Sequence, residues 1–245
     1  MDLSGRRIVL TGATGGIGRM LAPSMLGSGA KVALVARDEG RLAAMAAEVG
    51  GDIITVPADV SSEADNERVV DRVVAEWGGL DVWIANAGVS PFVKKPRTIS
   101  AEEFRRVIEV NLVGAFLGAR SALRALAPGG RIIMTSSVLG ARPKRGFSAY
   151  SASKAGLEGL VRALAVDLAQ EQITVNAVVL GWFDSPLAEP WITDEKRAAE
   201  LLGHIPVKRW GNDGDLCGLF GFLAGVDSGY VTGATIPVDG GYLLP

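Results

Sequence analysis

The chain has 245 residues, 48% hydrophobic and 21% charged, with a formal net charge of −2. That composition excludes a disordered segment and offers no bulk attraction for nucleic acid or an anionic membrane. A single cysteine, Cys217, and a single histidine, His204, exclude an intrachain disulfide, a Cys/His zinc cluster and an HExxH site, so no metal is expected.

Strand-length apolar runs alternate with helical patterns along the whole chain. Arg7–Thr11 reads as a strand, followed by a Gly-rich turn and a helix from Ile17 to Ser28. Lys31–Ala36 is a second strand and Glu39–Val49 a helix. Asp52–Val56 is a third strand, and Glu63–Trp77 a helix with valines on one side. Asp81–Ala85 is a fourth strand, before one long helix over Glu102–Leu126, bent near Gly114. Arg131–Thr135, Thr174–Val179 and Thr235–Val238 complete seven strands, with helices at Tyr150–Ala169 and Asp213–Leu223 between them. Near-continuous β-branched strands separated by helices predict an α/β fold. The sheet is a doubly wound, mostly parallel, Rossmann-like one of seven strands, with helices on both faces. No linker or repeat interrupts residues 1–245, so one domain is expected. The irregular segment 181–210, rich in Trp and Pro, reads as a substrate-binding insertion. No apolar run reaches the roughly 18 residues of a membrane helix, and the N-terminal one is too short for a signal peptide. A cytoplasmic protein is the expectation.

Between the first strand and first helix lies Thr11-Gly12-Ala13-Thr14-Gly15-Gly16-Ile17-Gly18. Glycines there let backbone N–H groups approach a diphosphate at a helix N-terminus. The string fits TGxxxGxG through Gly12, Gly16 and Gly18, and equally TGxxGxxG through Gly12, Gly15 and Gly18. At the end of the second strand a carboxylate would bind a ribose 2′-hydroxyl and repel a 2′-phosphate. The tip reads Ala36-Arg37-Asp38. Arg37 offers a planar cation suited to phosphate, so NADP(H) is predicted over NAD(H), with Asp38 either capping the next helix or facing the ribose.

Tyr150 and Lys154 stand at i and i+4 at the start of a predicted helix, on one face. A phenol with a reference pKa of about 10 is a poor base at neutral pH, and a neighbouring ammonium favours its phenolate. Ser137 follows the fifth strand, where open sheets bind ligands. Asn111 is conspicuous within an apolar helix and must satisfy its amide. Asp59-Val60 and Asn86-Ala87-Gly88 fall at the C-terminal ends of the third and fourth strands.

Jointly, the glycine loop, Asp59-Val60, Asn86-Ala87-Gly88, Asn111, Ser137, Tyr150-xxx-Lys154 and the stretch from Tyr230-Val231-Thr232-Gly233 to Val238-Asp239-Gly240-Gly241 resemble the short-chain dehydrogenase/reductase family. The resemblance runs the length of the chain and favours the subfamily of about this size over the longer epimerase-like one. It implies hydride transfer between a nicotinamide and a carbonyl or secondary alcohol of a small substrate. Tyr150 would be the general acid/base. Lys154 would lower its pKa and bind ribose hydroxyls, Ser137 would orient the substrate oxygen, and Asn111 would hold a relay water. The cofactor contacts it implies are Gly12, Thr14, Gly15, Gly16, Ile17, Gly18, Arg37, Asp59, Val60, Asn86, Ala87 and Gly88, with Gly181, Phe183 and Ser185 around the nicotinamide. Two departures stand out: Leu180-Gly181 replaces the usual Pro-Gly, and Ser185 replaces a Thr.

The resemblance also implies a homotetramer, a dimer of dimers, built on the helices around Glu102–Leu126 and Tyr150–Ala169. Its loops Val89–Val93, Val138–Phe147 and Trp182–Trp191 would form the substrate pocket. Phe92, Phe147, Trp182, Phe183 and Trp191 suggest an apolar one. Arg142, Lys144 and Arg145, or Lys94, Lys95 and Arg97, suggest instead recognition of an anionic substrate end, or merely solvated basic loops. A 3-oxoacyl-carrier-protein reductase, a polyol or sugar-acid dehydrogenase, a dehydratase or epimerase, and a cofactor-sensing protein without catalysis are the alternatives.

Overall fold

A computed structural model of the chain describes residues 2–186 and 188–245; Leu187, inside the predicted insertion, lies outside the described residues. Seven strands form one parallel sheet in the order β3-β2-β1-β4-β5-β6-β7. They are β1 (Arg7–Thr11), β2 (Lys31–Ala36), β3 (Ile53–Pro57), β4 (Leu80–Ala85), β5 (Leu126–Ser137), β6 (Thr174–Leu180) and β7 (Thr235–Val238). The larger helices are α1 (Gly16–Gly27), α2 (Glu39–Val49), α3 (Glu63–Trp77), α4 (Ala101–Ile108), α5 (Gly114–Ala122), α7 (Ser148–Leu168), α9 (Glu195–Gly203) and α10 (Asp213–Ala224). Two single-turn helices are α6 (Val138–Ala141) and α8 (Glu189–Ile192).

Strand periodicity divides the core in two. Alternate residues Val9, Ala33, Trp83, Ile132 and Val175 face α3, α5 and α7. Ile8, Val32, Val82, Ile133 and Val178 face α1, α2 and α10. A strand buried on both faces has no polar side to alternate with, which is why its sequence reads as a continuous apolar run. The helices start where their caps demand. Ser62 accepts from the Asp65 N–H ahead of α3, and Ser100 and Glu103 form a reciprocal capping box ahead of α4.

Three segments depart from expectation. The predicted helix over Glu102–Leu126 is α4 and α5 joined by a π-helical turn at Glu109–Val113. Strand β5 begins five residues earlier than predicted, through a Pro-Gly-Gly stretch whose register with β4 is irregular. The insertion holds two helices, α8 and α9, the second capped by Asp194.

The strand order reverses between β1 and β4, and chain segments leave the sheet there to opposite faces. A crevice opens at the carboxyl ends of the strands at such a point.

Candidate active site

The crevice has a volume of about 1350 Å³ and runs from Arg37, Asp38 and Asp59 past the glycine loop to Ser137, Tyr150 and Lys154. Every site residue predicted from the sequence lines it except Gly18 and Asn111, which support it from behind.

The turn after β1 is built by close contact. Gly12 has φ +64°, and a Cβ on it would lie 2.7 Å from Ala87 Cα. A Cβ on Gly18 would lie 2.4 Å from the Gly12 carbonyl oxygen, so neither position takes a side chain without moving backbone. Thr11 locks the loop to the next segment: its hydroxyl accepts from the N–H groups of Asn86 (3.0 Å) and Ala87 (3.1 Å). Asn86 returns its amide to the Thr11 carbonyl at 3.0 Å. Gly15 caps α1 without a side-chain bond, and no acid stands in that first turn. The positive end of the helix therefore faces the crevice without an internal anion.

At the far end, Asp38 is used by the fold. Its carboxylate accepts from the Arg41 N–H at 2.9 Å and caps α2. Arg41, which sequence reasoning passed over, also lines the crevice, and its Nη2 donates to the Thr14 carbonyl at 3.0 Å. The signal was available: a second Arg four residues after Arg37, in the first turn of the following helix. Asp59 accepts from the Ser61 hydroxyl at 2.6 Å and from the Ser61 N–H at 2.9 Å. The Ser61 hydroxyl holds the Asp59 carboxyl below its usual pKa, helped by Arg37 and Arg106.

At the other end, β5 and α7 bring Ser137, Tyr150 and Lys154 together. Lys154 is buried, and its Nζ donates to the Thr135 carbonyl at 2.7 Å and lies 5.7 Å from the Tyr150 ring centroid. Burial pushes the Lys154 ammonium down to about 8, opposed by the Glu158 carboxylate. Burial also pushes the Tyr150 phenol up to about 12, opposed by its hydrogen bond with Ser137. In the chain alone, desolvation thus outweighs the lowering expected from the neighbouring ammonium. Ser137 also caps α6, accepting from the Leu139 N–H at 3.3 Å.

Asn111 sits in the π-helical turn with 1% of its surface exposed. Its Oδ1 accepts from the Val89 N–H at 2.7 Å, and its Nδ2 donates to the Val89 carbonyl (2.9 Å) and the Ser153 hydroxyl (3.0 Å). Both amide protons are engaged, and the loop after β4 is pinned beside α7. Gly181 donates its N–H to the Val238 carbonyl at 2.9 Å, so β7 holds the turn that lacks the usual Pro.

The basic loops behave differently from the anion-recognition expectation. Arg142, Lys144, Arg145, Lys94, Lys95 and Arg97 do not line the crevice. Lys94 pairs with Glu103, Arg142 with the Tyr242 carbonyl, and Lys144 with Glu200 at 3.7 Å.

A nicotinamide dinucleotide fits this donor set: guanidinium groups at one end, an open helix N-terminus in the middle, and an ammonium beside a phenol at the other. A Cβ on Gly88 would stand 3.4 Å from both Lys154 Nζ and Asn111 Oδ1, so the absent side chain keeps that ammonium accessible.

The fold and crevice define a Rossmann-like, dinucleotide-dependent class of protein. A family model described as Enoyl-(Acyl carrier protein) reductase matches residues 12–243. Glucose 1-dehydrogenase of Gluconobacter oxydans (strain 621H) is 37% identical over 98% of this chain and 93% of that protein. The 3-oxoacyl-(acyl-carrier-protein) reductase FabG of Escherichia coli (strain K12) is 33% identical over 100% of both. The crystal structure of a short-chain dehydrogenase/reductase, a glucose/ribitol dehydrogenase from Brucella melitensis, superposes with a TM-score of 0.94 at 32% identity, covering 100% of both chains. The chain belongs to the short-chain dehydrogenase/reductase family. It is an oxidoreductase that transfers hydride between a nicotinamide cofactor, NAD(P)(H), and a carbonyl or alcohol. Among the described residues no helix is long and apolar enough to cross a membrane.

Proposed function

We propose that this enzyme is an NADP(H)-preferring carbonyl reductase, or secondary-alcohol dehydrogenase, with Tyr150 as general acid/base. The single observation that carries the reading is the meeting of Ser137, Tyr150 and Lys154 at one end of a crevice whose other end holds Arg37 and Arg41. When bound, the nicotinamide supplies or accepts the hydride. The chain's own groups handle the rest. The Ser137 hydroxyl orients the substrate oxygen, and the Tyr150 phenol gives that oxygen its proton in reduction or removes it in oxidation. A phenol raised to about 12 stays protonated in the chain alone, which suits donation. Lys154, fixed by the Thr135 carbonyl, supplies positive charge beside the phenol and donors for ribose hydroxyls. Asn111 positions the Val89 loop and, through it, the crevice wall. Gly12, Thr14, Gly15, Gly16, Ile17 and Gly18 hold the diphosphate. Asp59 and Val60, with Asn86, Ala87 and Gly88, line the adenosine half, while Gly181, Phe183 and Ser185 line the nicotinamide side.

NADP(H) preference is supported by Arg37 and Arg41 standing where Asp38 is engaged in capping α2. The relatives named above act on a sugar and on a carrier-bound 3-oxoacyl group, so family membership leaves the substrate open. We also propose a single catalytic domain with its substrate segment at 181–210, assembled as a homotetramer in the cytoplasm.

The test is a carbonyl and alcohol panel run with NADPH and NADH, followed by nicotinamide absorbance. Stoichiometric absorbance change separates a reductase from a dehydratase or epimerase. Tyr150→Phe is expected to bind NADPH normally and lose at least the 10²- to 10⁴-fold that is roughly typical of acid/base catalysis. Retained turnover refutes the assigned role.

A further inference from the structure

The substrate end of the crevice has one chemical character. Beginning beside the phenol, aromatic rings form a continuous wall. Tyr150 and Phe147 have ring centroids 6.4 Å apart, Phe147 and Trp191 5.6 Å, and Trp191 and Trp182 6.0 Å. Val138, Leu139 and Ala188 join the same apolar cluster. Phe92 and Val93 line the crevice from the loop after β4.

Charged groups are few there. The cations lining the whole crevice, among the described residues, are Arg37, Arg41, Lys154 and Arg197. Beyond Lys154, which stands beside the phenol, only Arg197 belongs to the substrate end. Its guanidinium lies 5.2 Å from the Trp191 ring centroid and its Nε 3.5 Å from Asp194. Lys144 Nζ lies 5.9 Å from the same ring and pairs with Glu200. Both cations thus flank the indole and have acidic partners of their own.

A substrate whose oxygen sits between Ser137 and Tyr150 must lay its carbon skeleton against this wall. A polyhydroxylated skeleton would turn its hydroxyls toward carbon and leave them without partners. Resting on the reductase reading above, we infer that the enzyme takes an uncharged carbocyclic ketone, alicyclic or aryl, or the matching secondary alcohol. Phe147 and Trp191 are the specificity-determining contacts, and sugars, acidic ketones and acyl-carrier thioesters are poor substrates. The reaction balances with the cofactor's hydride passing to the ketone carbon and the Tyr150 proton to its oxygen, giving the secondary alcohol and oxidised nicotinamide.

The experiment measures kcat/KM with NADPH for 4-methylcyclohexanone, 4-oxocyclohexanecarboxylate, acetoacetyl thioester, fructose and acetone, and with NADP⁺ for glucose. Saturable binding of 4-methylcyclohexanone to the NADPH complex is followed calorimetrically. The neutral ring ketone is expected to exceed the acid, the thioester and both sugars by at least about tenfold, the order of one buried apolar group. Trp191→Ala is expected to lower its kcat/KM by about 10- to 100-fold, mainly through KM. Acetone, too small to reach the wall, changes less than about threefold, and NADPH affinity holds within about twofold, so a general structural effect is distinguishable. Trp191→Phe should recover most of the loss. A sugar, thioester or carboxylate as the better substrate overturns the inference while leaving the reductase reading intact. Absence of ring-ketone binding overturns it as well. Ring-ketone binding without hydride transfer supports it and breaks the reductase reading instead.

Discussion

The two ends of the crevice handle charge in opposite ways. At the hydride end, Lys154, Asn111 and Ser137 are all buried, and each is held by a named partner: the Thr135 carbonyl, the Val89 backbone and the Leu139 N–H. At the adenosine end, Arg37, Asp38 and Arg41 are exposed. Burial gives the first end its chemistry, because removing water shifts acidities more than any neighbour does here. The second end relies on placed charges under solvent screening, where each contributes modestly and salt weakens all of them. One end is thus tuned by the fold as a whole, the other by a few replaceable side chains.

The largest effect should come from the buried end. Lys154 has a folded pKa of about 8 against an ordinary 10.5. Below about 8 both folded and unfolded chains carry the ammonium, and the folded state bears the full cost of burying it. Between about 8 and 10.5 the unfolded chain binds more protons, so stability rises with pH by this contribution, and above 10.5 it is constant. Tyr150, raised to about 12 from 10.0, acts only above pH 10 and in the opposite sense. Urea unfolding of wild type and Lys154→Met at about pH 7.5 and 9.5 reads the difference directly. The gap should move in favour of wild type by up to roughly 2 kcal/mol at the higher pH. A gap independent of pH would mean that the ammonium is not desolvated, and the contrast between the two ends would fail.

The exposed end should respond to salt instead. Arg37→Ala is expected to lower kcat/KM for NADPH by about 10- to 100-fold, the scale of a charge-assisted hydrogen bond to phosphate. The value for NADH should stay within about threefold, because that cofactor has no 2′-phosphate to lose. Repeating both at high ionic strength should narrow the wild-type preference for NADPH. Equal losses with the two cofactors would show Arg37 to be structural and remove the basis for the NADP(H) assignment.

This contrast also explains what the amino-acid order revealed. Doubly buried strands such as Lys31–Ala36 announce themselves as unbroken apolar runs, and the glycine loop by its spacing. The start of β5 did not, because Pro128, Gly129 and Gly130 mimic a turn while the chain already pairs with β4 at Leu126. The π-helical turn that aims Asn111 at Val89 has no local signature, since its extra residue per turn is stabilised by those tertiary bonds. Helix α9 was legible in principle from Asp194 followed by Glu195-Lys196-Arg197, but the surrounding Trp and Pro residues argued for a loop. The basic loops were misleading for a different reason. Sequence gives the presence of Arg142 and Lys144 but not their direction, and they turn toward the Tyr242 carbonyl and Glu200.

The smallest effect probes how far the buried end extends. Glu158, one turn beyond Lys154 on α7, accepts from the Ser136 hydroxyl at 2.8 Å and is half-buried. Its carboxylate is the charge that holds the Lys154 pKa up against desolvation. Glu158→Gln keeps an acceptor for Ser136 and removes the charge. The pH at which wild-type stability begins to rise should therefore move downward, because Lys154 sheds its proton earlier. Ser136→Ala, which removes the hydrogen bond and keeps the carboxylate, should leave that onset closer to wild type. If the two variants shifted it alike, Glu158 would act on Lys154 by packing, and desolvation would be the sole determinant of charge at this end.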